Sequence, residues 1–334
     1  MGTGKTLSGK VAVITGGSRG IGAAIAKRFA AEGANVAIIA RTATPGGKLK
    51  GSLSETAEAI KAQGRECLPI QADLADPQSR AGVIDKAAAH FGRVDILVNN
   101  AAWLQFKHIS EAPAKHLHLG FQINVAAPHD LSREALPYMK AQGAGWIVNI
   151  SSATATSPSA APYDFDDRYT AFNHSGGTTI YGATKAGLNR LTTGWAAEMA
   201  GSNIAVNALA PVGAVASEGA LAVGGWEKGD QMEPQETMAE AALQLSHRPA
   251  ATLSGRTAYS LPLLQELKTA TKSLDGLQIL EDFDFLPKFE NAPFSKGDYS
   301  MIFELDKSPA SIGDNRFASQ LGDDFFETYS VYIS

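Results

Sequence analysis

The chain is poor in what several protein classes require. One residue of 334, Cys67, is a cysteine, so no disulfide can close within the chain, and the Cys-His spacing of a metal site is missing. Cys67 sits in the apolar stretch Cys67-Leu68-Pro69-Ile70 and reads as a small buried hydrophobe. No apolar run reaches the roughly 18 residues of a membrane-spanning helix, and the N-terminus has no signal-peptide core. A reducing cytoplasm is the default that follows. Lys and Arg, 29 in all, form no block and are outnumbered by 34 acids, a net charge of −5. That excludes the basic stripe a nucleic-acid binder needs to neutralise phosphates.

What is present describes a folded globular protein: 44% hydrophobic and 19% charged residues. The charge is unevenly placed. Residues 281–334 hold 11 acids against 4 bases and 11 of the 26 aromatic residues, whereas residues 1–280 carry a net +2. The acidity therefore belongs to a tail, and the body is nearly neutral.

Apolar runs at Val11–Ile14, Val36–Ala40, Cys67–Gln71, Ile96–Asn99, Trp146–Ile150, Ile204–Ala208 and Ala258–Leu261 read as strands. Between them lie helical patterns: one through Ile21, Ile25 and Phe29, then Ser54–Gln63, Pro77–His90, Lys115–Ala126, Asp130–Lys140, Tyr181–Ala200 and Pro234–Leu245. Strands apolar throughout, alternating with amphipathic helices, imply a parallel sheet covered on both faces. The expected fold is α/β: a doubly wound, seven-stranded parallel sheet of Rossmann type over residues 8–265. Residues 1–7 read as a disordered leader. Their Gly2-Thr3-Gly4-Lys5-Thr6 echoes the end of a P-loop but precedes the first strand. Residues 266–334 form an acidic, aromatic-rich C-terminal extension, with strand-like runs at Tyr299–Leu305 and Phe325–Ile333.

The turn after the first strand, Thr15-Gly16-Gly17-Ser18-Arg19-Gly20-Ile21-Gly22, opens a helix. Glycines there allow a tight turn and close approach of a pyrophosphate, which the helix N-terminus attracts. This is a dinucleotide site built from Gly16, Ser18, Arg19, Gly20, Ile21 and Gly22. A further absence then matters. The second strand ends Ile39-Ala40-Arg41, without the acid that would bind the ribose 2′-hydroxyl of NAD. Arg41 and Arg19 would instead attract a 2′-phosphate, so NADP(H) is the expected cofactor.

Tyr181-Gly182-Ala183-Thr184-Lys185 puts a phenol and an ammonium four residues apart on one helix face. The cation is expected to lower the phenol's pKa and suit Tyr181 to proton transfer. Ser151-Ser152 and Asn99-Asn100-Ala101-Ala102 each follow a strand, at the carboxyl ends where open α/β sheets collect their active-site residues. Asn124 lies within a helical stretch, where an amide is disfavoured unless it bonds something specific.

With these features in order, residues 8 to about 265 resemble the short-chain dehydrogenase/reductase superfamily. The Arg41-Thr42-Ala43 continuation is most similar to its hydroxysteroid dehydrogenase-like branch. The resemblance implies that Ser152 polarises a carbonyl oxygen and that Tyr181 is general acid in reduction and base in oxidation. It implies that Lys185 binds ribose and tunes Tyr181, and that Asn124 supports a water-linked proton relay. Asp73, followed by Leu74, would contact adenine; Asn99 and Ala101 would lie beside the cofactor and Pro211 near the nicotinamide. Homodimers or homotetramers, built through the two long central helices and the last helix-strand unit, are also implied.

The sequence departs from the family pattern twice. Pro211-Val212-Gly213 stands where a Pro-Gly pair is usual, and the Thr often found a few residues later is missing, leaving Ser217 as its substitute. Ser152 and Tyr181 are 29 positions apart, the excess being an insertion, Ser157–Gly177. Its ends flank two candidate catalytic residues, so Tyr163, Tyr169 and Phe172 are expected to form a lid or specificity wall. Val212–Met232, anchored by Trp226, is a second candidate lid. The function expected is an NADP(H)-dependent oxidoreductase acting on a medium-sized, largely apolar ketone or secondary alcohol. It uses no metal and contacts neither membrane nor nucleic acid. The alternative is a non-catalytic NADP(H)-binding sensor or scaffold; a third reading makes the tail an interaction module.

Overall fold

The computed structural model describes residues 5–47, 49–223 and 232–281. Seven strands run parallel in one sheet of order β3-β2-β1-β4-β5-β6-β7. They are β1 (Val11–Thr15), β2 (Asn35–Ala40), β3 (Cys67–Gln71), β4 (Ile96–Asn99), β5 (Gly145–Ile150), β6 (Ile204–Ala210) and β7 (Thr257–Tyr259). Alternation along each strand fills two cores. Ala12, Ile14, Val36, Ile38, Ile96 and Val98 point to one face, and Val13, Ala37, Ile39 and Leu97 to the other. The first face is covered by α1 (Gly20–Ala31), α2 (Leu53–Ala62) and α10 (Gln235–Leu245). The second is covered by α4 (Val83–Phe91), α6 (Ala127–Gln142) and α8 (Thr179–Glu198). The doubly wound architecture is as the sequence implies. Strand order reverses between β1 and β4, which opens a crevice at their carboxyl ends.

Several local expectations are corrected. The helix expected over Pro77–His90 breaks into α3 (Pro77–Arg80) and α4 because Gly82 is left-handed, with φ 70°. The two helices expected between Lys115 and Lys140 are continuous. From α5 (Ala114–Phe121) the chain passes through a π-helical stretch, Gln122–Ala126, straight into α6. Pro128, which cannot donate a backbone hydrogen bond, lies just past this π-helical stretch. The last strand ends at Tyr259, and Leu261 belongs to α11 (Ser260–Glu266). Leu7, assigned to the leader, is fully buried in the first core, and its N–H donates to the Glu32 carbonyl at 2.8 Å. Burying such a side chain contributes about 1.5–3 kcal/mol, enough to fix the segment before β1.

The body also continues past residue 265. Leu267 and Leu274 pack against the first core, and Lys272 bridges Ile279 in antiparallel fashion. This segment crosses Arg28: a Cβ on Gly276 would stand 3.2 Å from its Nη1. Arg28, 1% exposed, joins Glu240 on α10 at 2.9 Å and Glu32 at 2.7 Å, tying α1 to α10 through the core. The strand-like runs expected near Tyr299 and Phe325 lie outside the described residues.

Removing one partner of a buried pair leaves the other uncompensated. Arg28→Leu is therefore expected to cost about 3–5 kcal/mol in a urea unfolding series. A loss under about 1 kcal/mol would show that the α1–α10 contact does not need the charge.

Candidate active site

The first turn of α1 is left open by its own sequence. Arg19 at the N-cap makes no side-chain cap and no acid lies in the first turn, whereas α2 is capped by Ser52, which accepts from the Glu55 N–H. The positive end of the helix dipole, with no cap from Arg19, therefore faces the crevice. Gly16 and Gly22 permit the tight packing there: a Cβ on Gly22 would stand 2.3 Å from the Gly16 carbonyl oxygen. The turn is stitched to β4 by two residues to which the sequence reading assigned no role. Thr15 Oγ1 accepts from the Asn100 and Ala101 N–H groups at 2.9 and 3.0 Å. Asn100 Nδ2 donates to the Thr15 carbonyl at 2.9 Å.

An anion already uses this helix end. Gly20 N–H donates to Glu218 Oε2 at 3.0 Å, from α9 (Glu218–Val223). A carboxylate in that position does what a phosphate oxygen would do, so the turn fits a dinucleotide's pyrophosphate. The end of β2 is cationic. Arg19 Nη2 donates to Thr42 Oγ1 at 3.0 Å and to the Gly51 carbonyl at 2.9 Å, which holds it beside the end of β2 and exposed Arg41.

Of the remaining cofactor candidates, Asp73 follows β3, its Oδ1 accepting from the Ala75 N–H, and Leu74 is buried. Asn99 differs from expectation. It is buried and donates to Asn149 Oδ1 at 2.9 Å, an interior link between β4 and β5, and it is Asn100 that touches the glycine turn.

Tyr181 and Ser152 meet because of a glycine. α8 comes so close to the 3-10 turn Ala153–Ala155 that a Cβ on Gly182 would lie 2.4 Å from the Thr154 carbonyl oxygen. That approach sets Tyr181 beside Ser152, whose side chain favours the phenolate. Lys185, 2% exposed, donates through Nζ to the Ile150 carbonyl at 2.6 Å, and its nitrogen lies 5.7 Å from the Tyr181 ring centroid.

Asn124, fully buried in the π-helical stretch, accepts from the Trp103 N–H at 2.7 Å. Its Nδ2 donates to the Trp103 carbonyl and to Thr184 Oγ1. Thr184 in turn donates to the Tyr181 carbonyl at 2.7 Å. The Asn124 side chain thus spends both its hydrogens on protein groups, fastening the segment after β4 to α8. Its side chain acts as a clamp.

The electrostatics also differ from the sequence expectation. Burial dominates for both partners: it pushes the Tyr181 phenol up to about 12, opposed by the Ser152 hydrogen bond, and the Lys185 amine down to about 7.

The insertion is not a simple flap. Tyr163 is exposed, but α7 (Arg168–His174) packs inward, where Phe172 joins a cluster of Ala153, Ala210, Val212, Tyr259 and Leu261. Tyr169 meets Phe172 edge to face, and the Arg168 guanidinium lies 5.0 Å from the Phe172 ring centroid. Pro211, partly buried, opens the turn after β6 as expected. Trp226 lies outside the described residues. Among the described residues no acidic, His or Cys group is arranged to hold a metal, and no helix is long and apolar enough to cross a membrane.

The family model for short chain dehydrogenases matches residues 10–164 and 169–224. The chain belongs to the short-chain dehydrogenase family. The unmatched stretch falls inside the insertion of this dehydrogenase. Hydroxysteroid dehydrogenase-like protein 2 of Bos taurus is 33% identical over 86% of the chain and 64% of its own length. The chain spans about half to two thirds of the curated relatives it matches, 54% of the human one. Among solved structures, a putative dehydrogenase from Xanthomonas campestris is 29% identical, with a TM-score of 0.69 over 84% of this chain and 99% of that one. A 3-oxoacyl (acyl-carrier-protein) reductase from Agrobacterium tumefaciens with NADP bound is 28% identical, with a TM-score of 0.62 over 76% and 93%.

Lys185 carries its proton to about pH 10.5 when unfolded but only to about 7 when folded. Between those values the unfolded chain binds more protons, so this residue makes stability rise with pH; below about 7 the buried charge burdens the fold in full. Lys185→Met is expected to stabilise the enzyme at pH 6 by a few kcal/mol, roughly, while removing turnover. A lower urea midpoint at pH 6 would contradict this.

Proposed function

We propose that this dehydrogenase interconverts a ketone and a secondary alcohol with NADP(H), on a medium-sized, largely apolar substrate. The observation that carries the reading is the close approach of α8 to the Ser152 turn at Gly182, which sets Tyr181 beside Ser152 at the carboxyl edge of the sheet, with Lys185 one helical turn away. Bound NADPH would supply the hydride. Ser152 is suited to hold and polarise the carbonyl oxygen, and Tyr181 to give it a proton. A phenol held near 12 stays protonated across the neutral range, which suits Tyr181 to the acid role in reduction. In the oxidative direction the phenolate form of Tyr181 would take the proton back. Phe106, edge-on to Tyr181 with centroids 6.0 Å apart, gives the mouth an apolar side.

Arg19 and Arg41, with no acid at the end of β2, support NADP(H) over NAD(H), and the Agrobacterium reductase carries NADP. Exposed Leu117 and Phe121 on α5 offer apolar surface for a homodimer or homotetramer. A single buried cysteine suits a reducing, cytoplasmic setting.

Tyr181→Phe is expected to lower ketone-dependent NADPH oxidation by about a hundredfold or more, with NADPH affinity retained. Unchanged turnover would sink the mechanism, and binding without turnover in the parent chain would favour the sensor reading. Glu218 competes with the pyrophosphate for the Gly20 N–H. Glu218→Ala is therefore expected to tighten NADPH binding by about three- to thirtyfold in a fluorescence titration; weaker binding would mean that the carboxylate assists the cofactor.

A further inference from the structure

The turn after β6 is built around one peptide. Val212 is fully buried. Its N–H donates to Glu233 Oε2 at 2.8 Å, and its carbonyl accepts from Arg168 Nη2 at 2.5 Å. Both charged side chains are themselves buried, Glu233 at 0% exposure and Arg168 at 4%. Glu233 holds more than Val212. Its own N–H donates to the Ala214 carbonyl at 2.7 Å, and its carbonyl accepts from the Ala216 N–H at 3.0 Å. One acid therefore fixes residues 212, 214 and 216, and one base from the insertion closes the other side of the same peptide. Arg168 falls in the stretch the family model leaves unmatched, and Glu233 beyond the residues it matches.

Burying two charges is expensive unless each is engaged, and charge-assisted bonds to backbone groups are the strong kind. Here both are spent on a turn at the carboxyl end of β6, beside the Ser152 turn: Val212 shares its cluster with Ala153 and, through α7, with Phe172. A glycine in the second position would leave the turn free to pivot; valine, anchored by its side chain and gripped at both peptide atoms, cannot.

We propose that Arg168 and Glu233 are positioning residues for the nicotinamide half of NADP(H), holding the Pro211–Gly213 turn from opposite sides, and that the insertion serves as a buttress for this turn. The proposal rests on the reading of the site as an NADP(H)-dependent reductase.

The test uses the full chain and three variants: Arg168→Met, Arg168→Lys and Glu233→Gln. Hydrogen exchange without cofactor, read by mass spectrometry over residues 206–216, reports the grip on Val212 directly. Binding of NADPH and of adenosine 2′,5′-bisphosphate, which lacks the nicotinamide half, separates the two ends of the cofactor site.

Arg168→Met is expected to speed exchange in this segment, to weaken NADPH, and to leave the bisphosphate within about twofold. It is also expected to lower kcat by about ten- to a hundredfold, as a misplaced reacting group does. The deuterium isotope effect with nicotinamide-labelled NADPH should rise as hydride transfer becomes limiting, and Arg168→Lys should recover part of each loss. Equal weakening of both ligands would mean general damage and overturn the proposal, as would unchanged exchange. If the parent chain binds neither ligand, the cofactor reading fails while the exchange data still judge the clamp.

Discussion

Everything at the site depends on one constraint: an all-parallel sheet must be covered on both faces. With α1, α2 and α10 on one side and α4, α6 and α8 on the other, no side chain in the middle of β1, β2, β4, β5 or β6 meets solvent; only edge strand β3 exposes mid-strand residues. Polar chemistry is pushed to the strand ends. The carboxyl edge receives Thr15, Asn100, Ser152 and the Pro211–Gly213 turn, each within a residue or two of the end of its strand. The crevice between β1 and β4 follows from the reversal of strand order, and the N-terminus of α1 points its positive dipole end into it.

Close contact at that edge is limited by glycine and secured by charge. Gly22 lets α1 settle on the turn before it, and Gly182 lets α8 reach the Ser152 turn. Both are approaches that any Cβ would prevent, so the distance between phenol and hydroxyl is set by the absence of a methyl group. Charges then fasten the loops that the strands leave loose. Glu218 covers the N-terminus of α1, and Arg168 and Glu233 grip the Val212 peptide. Lys185 is buried and Tyr181 half-buried at the cost of their charged forms, a burden that a tightly packed site carries for its function.

Much of this was legible in the residues. Short continuous apolar runs and helical periodicity between them are local signals, and the seven strands fall where those signals put them, within a residue or two at most ends. The glycine turn and the Tyr181–Lys185 pair were equally visible, since their spacing alone sets their geometry. Roles that depend on a distant partner were not. Asn99 and Asn100 are neighbours in sequence, yet alternation sends the first into the sheet toward Asn149 and the second to the glycine turn. Asn124 signalled that it bonds something, but not that the partner is the Trp103 backbone. Nothing local marks Glu233, which sits ahead of α10 as an ordinary acid until the fold brings Val212, Ala214 and Ala216 to it.

By itself, then, the sequence determined the doubly wound sheet and the family and marked a small set of candidate catalytic groups, because periodicity, turn chemistry and i to i+4 spacing act over a few residues. Tertiary structure decided what those groups experience. Burial, which no short window of sequence reports, set the Tyr181 and Lys185 protonation preferences against the order expected from the pair alone. Long-range contact turned an insertion that looked like a lid into a helix wedged beneath the turn after β6.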